Sequence, residues 1–249
     1  MSYEGSSFYD DANVFDTYSK HRERPDSANN TLERPVIIEL LGDVRHQDFL
    51  DLGCGNAEFG KELLAAGAAS YLGVDGSQNM ITQATITLQA TKGRVVRSQL
   101  QDWTFPAASC SRVCSRLALH YLPDLEPLFR KIHAALRPDG LFVFSVEHPA
   151  ITSRIMPQLE GLRQDWIVDD YFKTGKRVTD WMGASVVKYH RTIEDHFATL
   201  RACGFQVESI REAKPIRENF KSDETFFRRQ RIPLFLCMAA RKARTDQAE

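Results

Sequence analysis

Between residues 48 and 147 short apolar runs alternate with amphipathic stretches, and the period of the pattern changes at each boundary. Phe49-Leu50-Asp51-Leu52 is a strand that ends in Gly53-Cys54-Gly55, the segment from Phe59 continues as a helix, and 71–75 forms the next strand. The alternation then predicts a helix over 77–91, strands at 94–100 and 111–118, a helix over 124–137 stopped by Arg137-Pro138-Asp139-Gly140, and a strand at 141–147. Continuously apolar strands separated by amphipathic helices imply an α/β, Rossmann-like, doubly wound sheet, mostly parallel, with helices on both faces. Such sheets bind ligands at the carboxyl ends of their strands.

The flanks are less regular. Residues 11–23 place Val14, Phe15 and Tyr18 at helical spacing, and Asn30 with Glu33 resembles a capping box opening a second helix with Pro35 in its first turn. After Pro149 the rhythm stops for about 40 residues, with Gly175 in a hairpin turn, as expected of a lid or insertion. It resumes with a helix from Thr192 to Cys203, a strand at 205–210, an irregular charged stretch and a last strand at 232–239. The expected division is therefore one domain over 1–249: a helical cap (1–45), a ligand-binding core (46–149), a lid (150–190), and a completion of the sheet (191–249).

The 249 residues carry 32 Lys and Arg against 33 Asp and Glu, so the formal charge is −1 and nothing attracts the chain to nucleic acid or an anionic membrane. The run Arg228-Arg229-Gln230-Arg231 therefore looks like solvated surface. Five scattered cysteines suit free thiols in a reducing cytoplasm, and Cys110, Cys114 and His120 lack a fourth ligand at zinc spacing. The N-terminus has neither the basic start nor the apolar core of a targeting signal, and no apolar run approaches the ~18–20 residues of a membrane span. The expected partner is a small molecule.

The glycines after Leu52 let the backbone turn sharply and approach a ligand. Asp75, 20 residues beyond Gly55 at the end of the second core strand, suits both ribose hydroxyls of a nucleoside. Ala57-Glu58 stand where a dinucleotide fingerprint places its third glycine. A carboxylate at Asp51 repels a pyrophosphate and attracts an ammonium. That pattern favours an amino-acid-bearing nucleoside over NAD.

With these features the chain resembles the class I S-adenosylmethionine-dependent methyltransferases, particularly those acting on small molecules. The matching stretches are FLDLGCGNAEFG (49–60), YLGVDGSQNMI (71–81), SQLQDWTFP (98–106), LALHYLPD (117–124) and LRPDGLFVFSVEHP (136–149). The resemblance implies S-adenosylmethionine as cofactor, S-adenosylhomocysteine as product, and a seven-stranded sheet with an antiparallel last strand. It places the methionyl part at Asp51, Gly53 and Gly55, the ribose at Asp75 and its edge at Ser77 and Met80, with Cys54, Gly76 and Leu117 also among the cofactor-binding residues. Met80, Gln99, Leu100, Gln101 and Asp102 border the adenine, while Tyr18 and Arg22, four apart on one helix face, reach the cofactor carboxylate. Tyr9, Tyr121, Trp166, Tyr171 and Trp181 are assigned to the acceptor, the ring of Tyr9 also shielding the sulfonium. In two departures from the family pattern, Ser111 and Gln99 replace common acids.

Methyl transfer is an in-line displacement, in which alignment and exclusion of water come first and a base second. His120 and His148 follow strands at the ligand edge and, with His190, are the candidate bases. The Asn/Asp-Pro-Pro-aromatic signature of amide and base methylases is absent, since that position reads Arg116-Leu117-Ala118-Leu119-His120. An oxygen or nitrogen of a small metabolite is therefore the expected acceptor. An NAD-type oxidoreductase and a non-catalytic cofactor-binding protein are the competing readings.

Overall fold

The structure, a computed structural model, describes residues 2–22, 24–104, 106–154 and 165–244. Its main sheet contains β2 (Asp48–Leu52), β3 (Ser70–Asp75), β4 (Arg94–Arg97), β5 (Cys110–Arg116), β6 (Leu136–Glu147), β9 (Phe205–Arg211) and β10 (Phe235–Lys242), in the order β4-β3-β2-β5-β6-β10-β9. The pairs among β2 to β6 are parallel, and β10 runs antiparallel to both β6 and β9. This is the expected doubly wound sheet. Chain direction reverses in sheet order at β2, between β3 and β5, which puts the ligand crevice at the carboxyl end of β2.

Helices α1 (Ala12–Arg22), α2 (Arg34–Leu41), α3 (Glu58–Ala65), α4 (Gln78–Leu88), α5 (Glu126–Ala135), α6 (Pro149–Thr152), α7 (Ile193–Ala202) and α8 (Asp223–Arg229) surround that frame. Two apolar layers sandwich the sheet. One gathers Leu128, Phe129 and Ile132 of α5 with Phe142 and Phe144 of β6, and the other gathers Ile37 and Leu41 of α2 with Phe49, Leu63, Tyr71 and Val143. Each buried Leu, Ile or Phe contributes about 1.5–3 kcal/mol by leaving water, and α7 starts from a full capping box of Thr192 and Asp195.

Several boundaries differ from the sequence expectation. Asn30 and Glu33 form no capping box: Asn30 donates to the Arg22 and Arg24 carbonyls, a π-turn over 29–33 leads into α2, and Glu33 is buried. Helix α5 stops at Ala135, two residues early, because Arg137 to Gly140 bulge out at the start of β6, with Asp139 at φ +61°. Strand β4 ends at Arg97. Ser111 is structural here, accepting the Asp48 amide at 3.0 Å and tying β5 to β2.

The largest difference lies in the stretch expected as a loop. Gly175 begins a strand, β7 (Gly175–Trp181), and the hairpin turn falls at Met182-Gly183, with φ of +51° and +83°, leading into β8 (Ala184–His190). Two consecutive positive φ values match the twist that a tight hairpin needs. Strand β8 also pairs in parallel with β1 (Tyr3–Glu4), so the N-terminus and the hairpin form a separate three-stranded sheet. Part of the expected lid, 155–164, lies outside the described residues. Among the described residues no helix is long and apolar enough to cross a membrane.

Candidate functional site

Strand β2 leaves the sheet through Gly53, at φ +77°, where an added Cβ would stand 2.3 Å from the Ala118 Cβ. The Gly53 amide donates to the Val74 carbonyl at 2.8 Å, and the Gly55 amide donates to Asp75 Oδ2 at 3.0 Å. The Ser77 amide donates to Asp75 Oδ1 at 2.9 Å, so two turns fix this carboxylate at the strand end. Burial pushes its pKa up against these donors. Ser77 accepts the Met80 amide as the N-cap of α4 and donates to Asp10 at 2.7 Å.

Asp51 sits one layer below. Its Oδ2 accepts the Tyr71 hydroxyl at 2.7 Å, while its Oδ1 is buried without a partner. Burial raises its pKa to about 6, although Tyr71 and Arg116 pull it down. Gly60 serves this arrangement, because a Cβ there would lie 2.1 Å from the Tyr71 ring. Cys54 turns its sulfur towards the Gly55 carbonyl and the face of Gly73.

A cavity of about 600 Å³ opens above these turns along the carboxyl ends of the strands. Of the residues expected to hold the cofactor, Gly53, Gly55, Asp75, Gly76 and Met80 line it. So do Gln99, Leu100, Gln101 and Leu117, and from α1 Tyr18 and Arg22. Asp51, Cys54, Ser77 and Asp102 do not; Asp51 and Ser77 are buried, and Cys54 turns its sulfur to the Gly55 carbonyl. The 3-10 turn at 5–10 closes one side, Ser6 hydrogen-bonding Gln99 and Asp10 accepting both the Ser77 hydroxyl and the Asn79 amide. Nothing in the periodicity of residues 3–10 announces that closure.

The other end of the cavity is aromatic. The Tyr9 and Tyr121 hydroxyls lie 3.1 Å apart, the Tyr9 and Tyr18 rings meet edge-on at 4.9 Å, and Trp181 stands 5.9 Å from Tyr18. Burial raises both phenol pKa values above the ordinary 10.0, so Tyr9 and Tyr121 stay neutral. His120 accepts the Glu147 amide on Nδ1 at 3.4 Å. Burial pushes its pKa down to about 4, against the pull of Glu147. Glu147 pairs with the buried Lys188 at 2.5 Å; burial alone would raise this carboxyl, but Lys188 and His120 hold it below the usual value. The Lys188 ammonium lies 5.1 Å over the Trp181 ring.

Four residues expected at the site lie elsewhere. The chain folds back directly after Glu147, and His148 caps α6, accepting the Ala150 amide on Nδ1 and donating from Nε2 to Glu212 at 3.1 Å. His190 is buried between the Thr152 hydroxyl, at 2.8 Å, and the Tyr171 carbonyl, at 2.9 Å, which commits both ring nitrogens. Trp166 donates to the Ala150 carbonyl, and Tyr171 packs on His190. None of the four lines the cavity.

Others were not foreseen. Glu33, fully buried, meets Arg116 through two hydrogen bonds of 3.0 and 2.5 Å and accepts Ser145 at 2.7 Å. An arginine at the end of a core strand, following three buried positions, was the available signal for that pair. Arg229, expected on a solvated surface, also lines the cavity.

Residues 50–144 match the family model of a methyltransferase domain. The fold superposes with a TM-score of 0.79 on an S-adenosylmethionine-dependent methyltransferase of Mesorhizobium loti, 32% identical, covering 89% of this chain and 99% of that one. An uncharacterised protein of Haemophilus influenzae is 31% identical over 221 residues, which are 83% of this chain and 85% of the relative. Trans-aconitate 2-methyltransferase of Variovorax paradoxus is 29% identical over 135 residues, 53% of this chain and 48% of the relative. The chain belongs to the S-adenosylmethionine-dependent methyltransferases, enzymes for which S-adenosylmethionine is the methyl donor.

Proposed function

We propose that the chain methylates an oxygen or nitrogen of a small molecule lodged at the aromatic end of the cavity. The observation that carries this reading is the continuity of the space: one cavity runs from the glycine turn to Tyr121, Glu147 and Trp181. Its volume falls within the ~300–1,000 Å³ of small-molecule sites. The trans-aconitate enzyme, related over half its length, is itself named for a small acceptor.

The residues present fit the cofactor. Asp51 Oδ1 and Arg22 Nη1 are buried polar atoms without a partner, as an amino acid's ammonium and carboxylate require. In this reading Asp51 and Arg22 hold the methionyl end, with Gly53, Gly55 and Leu117 giving it room and Cys54 supporting the turn from below. Asp75 takes the ribose hydroxyls, with Gly76 and Ser77 shaping its strand exit. Met80, Leu100, Gln99 and Gln101 border the adenine. The bound sulfonium supplies an electrophilic methyl carbon.

At the other end Tyr9, Tyr121 and Trp181 exclude water and orient the acceptor. With Nδ1 occupied, neutral His120 keeps its proton on Nε2 and acts as a hydrogen-bond donor. Glu147, ionised beside Lys188, receives the proton that a hydroxyl or ammonium acceptor gives up.

Incubating the enzyme with methyl-labelled cofactor and a cell extract separated into small molecules, RNA and protein tests the reading. Label is expected in the small-molecule fraction, and label confined to RNA or protein refutes it. Asp51 makes a second, independent expectation. An ammonium beside it favours the ionised carboxylate, so binding releases a proton, and affinity for S-adenosylhomocysteine should fall as pH drops through about 6. The limiting slope is about tenfold per pH unit. Calorimetry between pH 5 and 8 should show this slope in the wild type and its loss in Asp51→Asn; equal slopes would remove Asp51 from the cofactor site.

A further inference from the structure

The charges around the cavity are mostly matched within the protein. Glu33 is paired with Arg116, Glu147 with Lys188, and Glu4 with Lys176. Two guanidinium groups are not. Arg22, on the last turn of α1, and Arg229, on the last turn of α8, line the same cavity, and among the described residues neither side chain makes an ion pair or hydrogen bond. Arg22 Nη1 and Arg229 Nε are both buried without a partner. A donor on a charged group is costly to bury unmatched, and a ligand in the cavity that both residues line would supply the acceptor each buried atom lacks.

Charge bookkeeping then separates the two arginines. The cofactor carries one carboxylate, and Arg22 lies on the helix already assigned to it. Glu33 cannot answer the second guanidinium, since Arg116 and Ser145 occupy its oxygens. Asp26 acts on Arg229 only at longer range than an ion pair. His21, which lines the same wall, offers no negative charge either; burial and the neighbouring Arg24, Arg22 and Arg229 hold its pKa below the ordinary value.

Resting on the cofactor placement above, we propose that the methyl acceptor carries an oxyanion, a carboxylate or a phosphate, which Arg229 receives while Arg22 holds the carboxylate of the cofactor. Arginine suits this task because its planar fork matches both kinds of oxyanion and stays charged at any working pH. The group sets which acceptors enter; the methylated atom lies elsewhere on the same molecule, at the aromatic end.

The test is calorimetry on the full chain. S-adenosylhomocysteine is titrated first, and malonate and inorganic phosphate are then titrated separately into the saturated enzyme, for the wild type, Arg229→Gln, Arg229→Lys and Arg22→Gln. At least one anion should bind the saturated wild type, and the tighter one identifies the kind of group. Arg229→Gln should weaken that anion about tenfold or more, the loss expected for a charge-assisted hydrogen bond. It should leave affinity for S-adenosylhomocysteine within about twofold, Arg229→Lys should restore part of the anion affinity, and Arg22→Gln should weaken S-adenosylhomocysteine instead. The proposal is overturned if neither anion binds the saturated wild type, if Arg229→Gln leaves the anion unaffected, or if Arg229→Gln weakens S-adenosylhomocysteine as strongly as Arg22→Gln. Failure of S-adenosylhomocysteine to bind the wild type would instead refute the cofactor placement, and this proposal with it.

Discussion

Arg116→Ala is expected to destabilise the fold by about 3–5 kcal/mol, the cost of stranding one charge of a buried pair. The side chain of Glu33 is 0% exposed and that of Arg116 10%, so the substitution leaves a buried carboxylate without its charged partner. Ser145 would still donate to Glu33, and the Arg116 guanidinium would no longer cover the Phe59 ring, 4.4 Å away. Replacing both ions, as in Glu33→Leu with Arg116→Met, should recover much of the loss, because the pair's mutual attraction largely offsets its own desolvation. Chemical denaturation of the wild type and these two variants separates these outcomes. The pH dependence has a definite sign. Burial raises the Glu33 pKa, but Arg116 and Ser145 bring it below its ordinary 4.5. The stability it contributes is therefore complete above 4.5 and is lost as pH falls through the lower folded value, a loss that Glu33→Leu/Arg116→Met should not show.

Asp75→Ala is expected to weaken cofactor binding by about 10- to 100-fold, the equivalent of one charge-assisted hydrogen bond of roughly 1.5–3 kcal/mol. The effect has two parts, because the carboxylate also accepts the Gly55 and Ser77 amides that shape the cleft. Asp75→Asn keeps one acceptor and the side-chain volume, so its loss should be smaller. Neither change touches the apolar layers of the sheet, and thermal stability without cofactor should fall much less than in Arg116→Ala.

The core was legible because its signals are local. A strand, a glycine turn and a strand-end acid follow one another within 30 residues, and each forms where the alternation places it. The small sheet was not legible, since Tyr3–Glu4 is too short for a period and pairs with residues more than 180 positions away. Its hairpin turns on Met182-Gly183 rather than on an Asn-Gly or Asp-Gly pair, so Gly175 drew the turn instead. The histidines show the limit of reasoning from strand ends. His120 and His148 both follow core strands, yet a 3-10 turn keeps one on the cavity while a helix N-terminus folds the other onto its own backbone. Glu33 and Arg229 were misassigned for one reason. Their partners and surroundings are supplied by distant segments, and local pattern reported only a cap and a basic surface.

The cofactor placement is tested most directly by calorimetric titration of S-adenosylhomocysteine, and separately of NAD, into the wild type and Asp75→Ala. The account predicts one S-adenosylhomocysteine per wild-type chain, an affinity lower by the stated factor in the variant, and no heat from NAD. Equal affinity of S-adenosylhomocysteine for both proteins, or saturable binding of NAD, would contradict it.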